Sequence, residues 1–209
     1  MKVLRADEPS SIETAAQVLR EGGLVVFPTD TVYGVGAAVD RPDAVARLYV
    51  AKGRPLEKPI PVLIADLEQL ERLAREVTPE ARLLAQHFWP GALTIVVPAQ
   101  PWLPQEIVRE TGTVGLRMPD HPVALAIIRA AGGAVATTSA NRSGEREACT
   151  VDEAIAALGD VVDLYIDGGR TPGGIPSTVV GFERSGLVVL RRGALAVEVI
   201  EQVLRTRSH

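Results

Sequence analysis

Cysteine occurs once in the 209 residues, at Cys149, so no internal disulfide can form and the paired thiols of a structural zinc site are missing. Histidine is scarce as well: His87, His121 and His209 are scattered, without metal-ligand spacing. No apolar run approaches the roughly 18 residues that span a bilayer, and residues 1–8 hold no secretory stretch. A cytoplasmic protein with no membrane segment is expected. Excess positive charge is absent too. The formal charge of -4 argues against wrapping nucleic acid over the whole surface and confines any polyanion site to a patch. Standard signatures are lacking: there is no G-x-x-x-x-G-K-[ST], and the spacing Gly34-x-Gly36 meets Val39 where the dinucleotide fingerprint needs a small residue. No G-x-S-x-G elbow exists, and Ser139, between Thr138 and Ala140, has no evident histidine base. Cys149 reads as a small buried or loop residue, and His121, between Asp120 and Pro122, as a turn or cap residue.

What is present is a soluble globular composition, 46% hydrophobic and 23% charged, in a length that suits one domain. The chain is organised around the apolar run Leu24-Val25-Val26-Phe27, a strand with both faces covered, which empties into Pro28-Thr29-Asp30-Thr31-Val32-Tyr33-Gly34-Val35-Gly36. Pro28 ends the ladder, and Gly34 and Gly36 are expected to permit unusual backbone conformations in a turn. The four oxygen-bearing side chains of Thr29, Asp30, Thr31 and Tyr33 suit a ligand crevice at a strand end, although an ordinary strand-to-helix turn has the same composition.

Around this stretch helices and strands alternate without repeats. Residues 3–5 read as an edge strand, and Ser10-x-x-Glu13 as a capping box opening a helix to Glu21. Pro42 opens a helix that delivers the chain to Lys52-Gly53-Arg54-Pro55, followed by Lys58 and a strand over 60–64. Asp66 and Thr78 are expected to cap two spacer helices. Strands are expected over 93–97, 113–117, 134–137 and 164–167, and a hairpin over 176–190 with its turn at Ser185-Gly186. Thr150-x-x-Glu153 caps another helix, and 196–205 forms the last one. The irregular segments 98–112 and 171–175 are expected to be mobile flaps. The fold class is α/β: a mixed β-sheet with flanking helices, residues 1–209 forming one domain. Strand ends repeatedly carry Arg54 with Lys58, Arg117, Ser139 with Asn141, Ser177 and Arg191. Cations joined by hydroxyls suit a ligand bearing phosphates and a carboxylate, so an anionic, nucleotide-like ligand is expected.

Taken together, the motifs Pro28-Thr29-Asp30-Thr31-Val32-Tyr33-Gly34, Lys52-Gly53-Arg54-Pro55, Trp89-Pro90-Gly91, Arg117-Met118-Pro119, Ser139-Ala140-Asn141 and Pro176-Ser177-Thr178 resemble the YrdC-like threonylcarbamoyl-AMP synthases over almost the whole chain. The resemblance implies a twisted mixed β-sheet with a large concave, positively lined ligand cleft, and a reaction in which L-threonine, bicarbonate or CO2, and ATP give threonylcarbamoyl-adenylate and pyrophosphate, with Mg2+ carried by ATP rather than by protein ligands. The product would pass to a transferase complex that modifies tRNA. By position, Thr31, Arg117, Thr137 and Ser177 would hold L-threonine; Arg54, Lys58, Thr113, Ser139 and Arg191 would hold ATP, with Lys52 and Asn141 supporting the phosphates. No protein nucleophile is implied. A hydroxyl contact should reject valine strongly, whereas the single methyl that distinguishes serine is worth only about 1 to 3 kcal/mol.

The chain departs from the family pattern at two positions. Leu63 stands where some relatives carry histidine, and Arg192 follows Arg191 where proline is frequent, leaving open which arginine faces the nucleotide. The resemblance is to the short, single-domain form. Two rival readings are a carbamoyl-adenylate-forming enzyme that uses carbamoyl phosphate, and a basic concave module that contacts RNA without chemistry.

Overall fold

A computed structural model of the chain describes residues 2–173, 175–184 and 186–206. Its first half runs β1 (Lys2–Arg5), α1 (Ser11–Arg20), β2 (Val25–Phe27), β3 (Gly34–Ala38), α2 (Pro42–Lys52), β4 (Val62–Ile64), α3 (Glu68–Leu73), α4 (Pro79–Phe88) and β5 (Leu93–Pro98). The second half runs α5 (Gln105–Val108), β6 (Thr113–Arg117), α6 (Pro122–Ala130), β7 (Ala134–Ser139), α7 (Val151–Leu158), β8 (Leu164–Asp167), β9 (Thr178–Glu183), β10 (Gly186–Arg191) and α8 (Val197–Arg205). Among the described residues ten strands join one mixed, twisted sheet in the order β1-β8-β2-β3-β7-β4-β6-β5-β9-β10. No helix among them is long and apolar enough to cross a membrane.

Strand alternation divides the core in two. Leu24, Val26 and Tyr165 join the cluster under α2, α4 and α7, while Val25, Phe27, Leu164 and Ile166 join the one under α1 and α6. Both faces of β2 are thereby covered, as its unbroken apolar run requires. The small stripe Ala15, Ala16 and Leu19 lets α1 sit close to the sheet, and all three are buried. Pro42 starts α2, and Gly53 ends it at φ 57°, where a side chain would be strained. Thr78 Oγ1 accepts from Ala81 N at 3.2 Å and Thr150 Oγ1 from Glu153 N at 3.2 Å, so both expected caps form.

Four expectations are corrected. Ser10 does not cap α1, because its backbone is already helical (φ -93°, ψ -6°) and a capping side chain needs an extended one. Glu13 pairs with Arg20 instead, at 2.6 Å. Asp66 lies too early to cap α3, whose preceding residue is Leu67, and its Oδ1 is buried without a hydrogen-bond partner. Gly34 and Gly36 belong to β3 rather than to a turn, and neither has positive φ. A β-carbon at Gly34 would lie 2.8 Å from Thr137 Cγ2, and one at Gly36 would lie 2.7 Å from Val135 Cγ1, so close approach of β7 demands both glycines.

The segment 98–112 is no flap. It carries α5, buries Leu103, Ile107 and Val108, and is stitched by Gln100 N to Leu73 O at 2.9 Å and Ala99 N to Gly112 O at 2.9 Å. The apolar side chains between its prolines anchor it. In the other expected flap, Thr171 is buried and donates its N–H to Cys149 O at 2.9 Å, while Ile175 is exposed. Gly174 of that loop, Ser185 of the expected hairpin turn and His209 lie outside the described residues.

Candidate functional site

The polar strand-end residues meet over a face of the sheet, not in a crevice along one edge. The reason is β4, which runs parallel to β6 but antiparallel to β7, so the carboxyl ends of β6 and β7 point opposite ways. Helices α1 and α6 pack on this face along β8, β2, β3, β7 and β4. Next to them opens a cavity of about 310 Å³, reached by Leu63 and Thr137 from one side and by Thr94, Arg117, Ser177 and Arg191 from the other. Its size falls at the lower end of small-molecule sites.

The loop between β2 and β3 brings Thr29, Thr31 and Tyr33 to the cavity lining, and their oxygens and that of Asp30 are also bonded within the protein. Thr29 Oγ1 donates to Val32 O at 2.6 Å and accepts from the N–H groups of Thr31 and Val32, which folds the turn on itself. Tyr33 OH donates to Gly169 O at 2.6 Å and accepts from Gly168 N at 3.2 Å, so burial pushes its pKa up while its hydroxyl fastens a neighbouring loop. Asp30 pairs with Arg117 Nη2 at 2.5 Å, with side chains 14% and 8% exposed respectively. Thr31 Oγ1 accepts from Arg117 Nη1 at 3.2 Å and lines the cavity. Arg117 Nε donates to Gly91 O at 2.9 Å, which leaves two of the five guanidinium N–H groups for an incoming carboxylate.

Arg191, at the end of β10, bonds Ser177 O through Nε and Nη2 and reaches Ser177 Oγ at 3.2 Å. Ser177 Oγ lies 2.7 Å from Thr94 Oγ1. Arg191 lines the cavity, whereas Arg192 is exposed and points to Glu198, which answers which of the two faces inward. Arg54 donates to Lys58 O and Pro59 O at 3.1 and 2.8 Å, and Lys58 is exposed at the rim. Thr137 Oγ1 donates to Val135 O, and the Ser139 hydroxyl is open to the cavity.

Lys52 and Asn141 both line the cavity and are also bonded to each other. Lys52 Nζ donates to Ser139 O, to Asn141 O at 2.6 Å and to Asn141 Oδ1 at 3.2 Å, while Asn141 Nδ2 donates to Arg142 O and Glu145 O. All three ammonium protons are used in fixing the turn after β7, so the pair shapes the wall of the site. Burial, then the charge of Arg54, bring the Lys52 pKa down to about 8. Burial also lowers the pKa of Arg54 and of Arg191. Thr113 is not brought in: it lies at the amino end of β6, about 13 Å along the strand from Arg117, and its hydroxyl donates to Thr111 Oγ1 at 3.0 Å.

Among the lining residues that escaped the sequence are Thr94, Glu145 and Glu147. Thr94 was legible as one hydroxyl inside the apolar run Leu93–Pro98, whereas Glu147 gave no signal in a polar loop. Lys52, Arg54, Lys58, Arg117 and Arg191 thus face Glu145 and Glu147, and cations outnumber acids. Such a cavity suits an anion rich in oxygen, held at one end by a buried arginine and hydroxyls and at the other by three cations.

Comparison with known proteins agrees with this chemistry. The family model for Sua5, YciO and YrdC proteins, described as Telomere recombination, matches residues 17–193. A threonylcarbamoyl-AMP synthase of Pyrococcus abyssi is 42% identical over 94% of this chain and 58% of its own length. One from Bacillus subtilis is 42% identical over 96% of this chain and, again, 58% of its own length. The chain therefore spans somewhat more than half of these relatives. The solved structure of P. abyssi Sua5 complexed with L-threonine superimposes with a TM-score of 0.91 at 41% identity, covering 97% of this chain and 59% of that one. The glycine-lined β3, the buried arginine and the cation-rich cavity are thus features of a chain that belongs to the Sua5/YciO/YrdC family.

Proposed function

We propose that this chain is an L-threonylcarbamoyladenylate synthase. It joins L-threonine, bicarbonate or CO2, and ATP into threonylcarbamoyl-AMP, releasing pyrophosphate, for threonylcarbamoyladenosine modification of tRNA. The observation that carries this reading is the meeting, around one cavity, of Thr31, Arg117, Thr137 and Ser177 with Arg54, Lys58, Ser139 and Arg191. Relatives named for this activity and a threonine-bound relative of the same fold support it. The sheet runs from β1 to β10 as one body, which supports treating 1–209 as one YrdC-like catalytic domain.

On this reading the threonine carboxylate takes the two remaining guanidinium N–H groups of Arg117, and Thr31, Thr137 and Ser177 surround the rest of the amino acid. Arg54, Lys58 and Arg191 hold the triphosphate, Ser139 lies beside it, and Mg2+ enters as part of the nucleotide substrate. The Ser177–Arg191 hydrogen bonds join the two halves, placing the amino acid next to the phosphates. The neutral threonine amine attacks CO2 and loses a proton, giving a carbamate. A carbamate oxygen then attacks the α-phosphorus as pyrophosphate leaves. No protein nucleophile is needed, since positioning can supply on the order of 7 to 11 kcal/mol of the barrier and fixed cations stabilise the charge that develops. The product passes to a tRNA threonylcarbamoyl transferase, with the cytoplasm the expected compartment.

The test is pyrophosphate release from ATP and Mg2+ with bicarbonate and threonine, serine, valine or no amino acid. Release that needs both threonine and bicarbonate, is weaker with serine and absent with valine is expected. Equal turnover of threonine and valine would contradict the hydroxyl contact. Release driven by carbamoyl phosphate without threonine would favour the carbamoyl-adenylate reaction, and salt-sensitive RNA binding without any release would favour a binding module.

A further inference from the structure

Glu147 is an acid in a place where the nucleotide reading asks for cations. It lines the cavity, half-buried, in company with Lys52, Arg54, Lys58 and Arg191, yet it makes no ion pair and no side-chain hydrogen bond among the described residues. Lys52 cannot swing to meet it, because its ammonium protons are used at Ser139 and Asn141. Arg191 is likewise held on Ser177. Burial raises the Glu147 pKa against the opposing pull of Arg191 and Lys52, so the carboxyl is felt by both cations without being joined to either. Glu145, the other acid at the cavity, is solvent-exposed, and water and salt screen it.

We infer that Glu147 sets the charge preference of the nucleotide end of the cavity, repelling a metal-free triphosphate and tolerating one whose charge is partly neutralised by a divalent cation. The inference rests on the nucleotide reading above and adds a selectivity that the cationic residues alone would not give. The three cations of the nucleotide end by themselves attract any polyphosphate, and most strongly the most highly charged one. A fixed carboxylate among them weakens the attraction most for the most highly charged form, since like charges brought together in a partly desolvated site are costly, and a divalent cation on the phosphates relieves that repulsion.

The experiment is titration calorimetry of ATP into the full chain at fixed ionic strength, once with Mg2+ and once with a chelator, comparing the parent with E147Q, E147D and E145Q. In E147Q the affinity for metal-free ATP should rise about tenfold, the scale of removing one close like charge from a partly screened site, while that for Mg-ATP does not rise with it. E147D should keep the parent's preference for the metal-bound form, and E145Q should change neither affinity by more than about twofold. Unchanged metal-free binding in E147Q would overturn the inference while leaving the nucleotide site intact. Equal gains in E145Q and E147Q would also overturn it, assigning the effect to net charge. If the folded parent bound neither form of ATP, the nucleotide reading itself would fall, and this inference with it.

Discussion

At the scale of single residues, Asp30 and Lys52 explain how an open, cationic cavity keeps its shape. Asp30 is absent from the cavity lining but holds Arg117 from behind, through a contact that is nearly dry. Removing one member of such a pair leaves a buried charge alone, which costs about 3 to 5 kcal/mol. Asp30→Ala should therefore lower the unfolding free energy measured by chemical denaturation by that amount, and Asp30→Asn, which keeps one acceptor, by less. On the proposed function, the KM for threonine should rise further than that for ATP in both variants, because the disturbed guanidinium would face the amino acid. A parallel rise in both would assign Asp30 a general structural role. Lys52 makes a pH-dependent contribution of known sign. Its folded pKa of about 8 lies below the ordinary 10.5, so between those values the unfolded chain binds the proton and the folded chain does not. Stability from this group is lowest below pH 8 and rises from there to pH 10.5. The unfolding free energy of the parent minus that of Lys52→Met should climb across that window by about 1–3 kcal/mol. A flat difference would mean that the ammonium is not desolvated.

At the scale of elements, the pairing of β3 between β2 and β7 shows where sequence pattern succeeds and where it stops. The strand β2 was legible because its residues are all apolar, whereas β3, Gly34–Ala38, hid behind its glycines and looked like a turn. Glycine carries no sign of why it is present. Here it is space, set by Val135 and Thr137 on the neighbouring strand, and such a contact is set by tertiary packing. Gly36→Ala should cost about 1–3 kcal/mol by overpacking, and Gly53→Ala about 1 kcal/mol through its left-handed backbone alone. Denaturant midpoints would separate them, and an equal small cost for both would deny the close approach. The segment 98–112 went astray for the opposite reason. Its prolines suggested irregularity, but Leu103, Ile107 and Val108 bury themselves, and irregular chain with apolar anchors packs as well as a helix does.

At the scale of the whole molecule, the alternation of elements and the mixed sheet were legible because each helix has its own stripe and each strand its own run. The composition of the site was legible too, from hydroxyls and cations recurring at strand ends. Its arrangement was not. Placing β4 parallel to β6 and antiparallel to β7 turns the ends of neighbouring strands in opposite directions, so the site lies over a face that α1 and α6 leave partly open. That topology also explains Thr113, which shares a strand with Arg117 yet lies far from it. Lys52 and Asn141, which the resemblance sets beside the phosphates, also fix the turn after β7, a contact between distant parts of the chain that no motif displays. One cavity that joins an amino-acid end to a nucleotide end is the central claim. The most direct measurement is mass spectrometry of the nucleotide product formed from ATP, threonine and carbon-13 bicarbonate. The expected result is an adenylate that contains threonine and gains one mass unit from the labelled carbon, lost in folded Arg117→Ala and Arg54→Ala variants. ATP consumption without a labelled threonine adduct would contradict it.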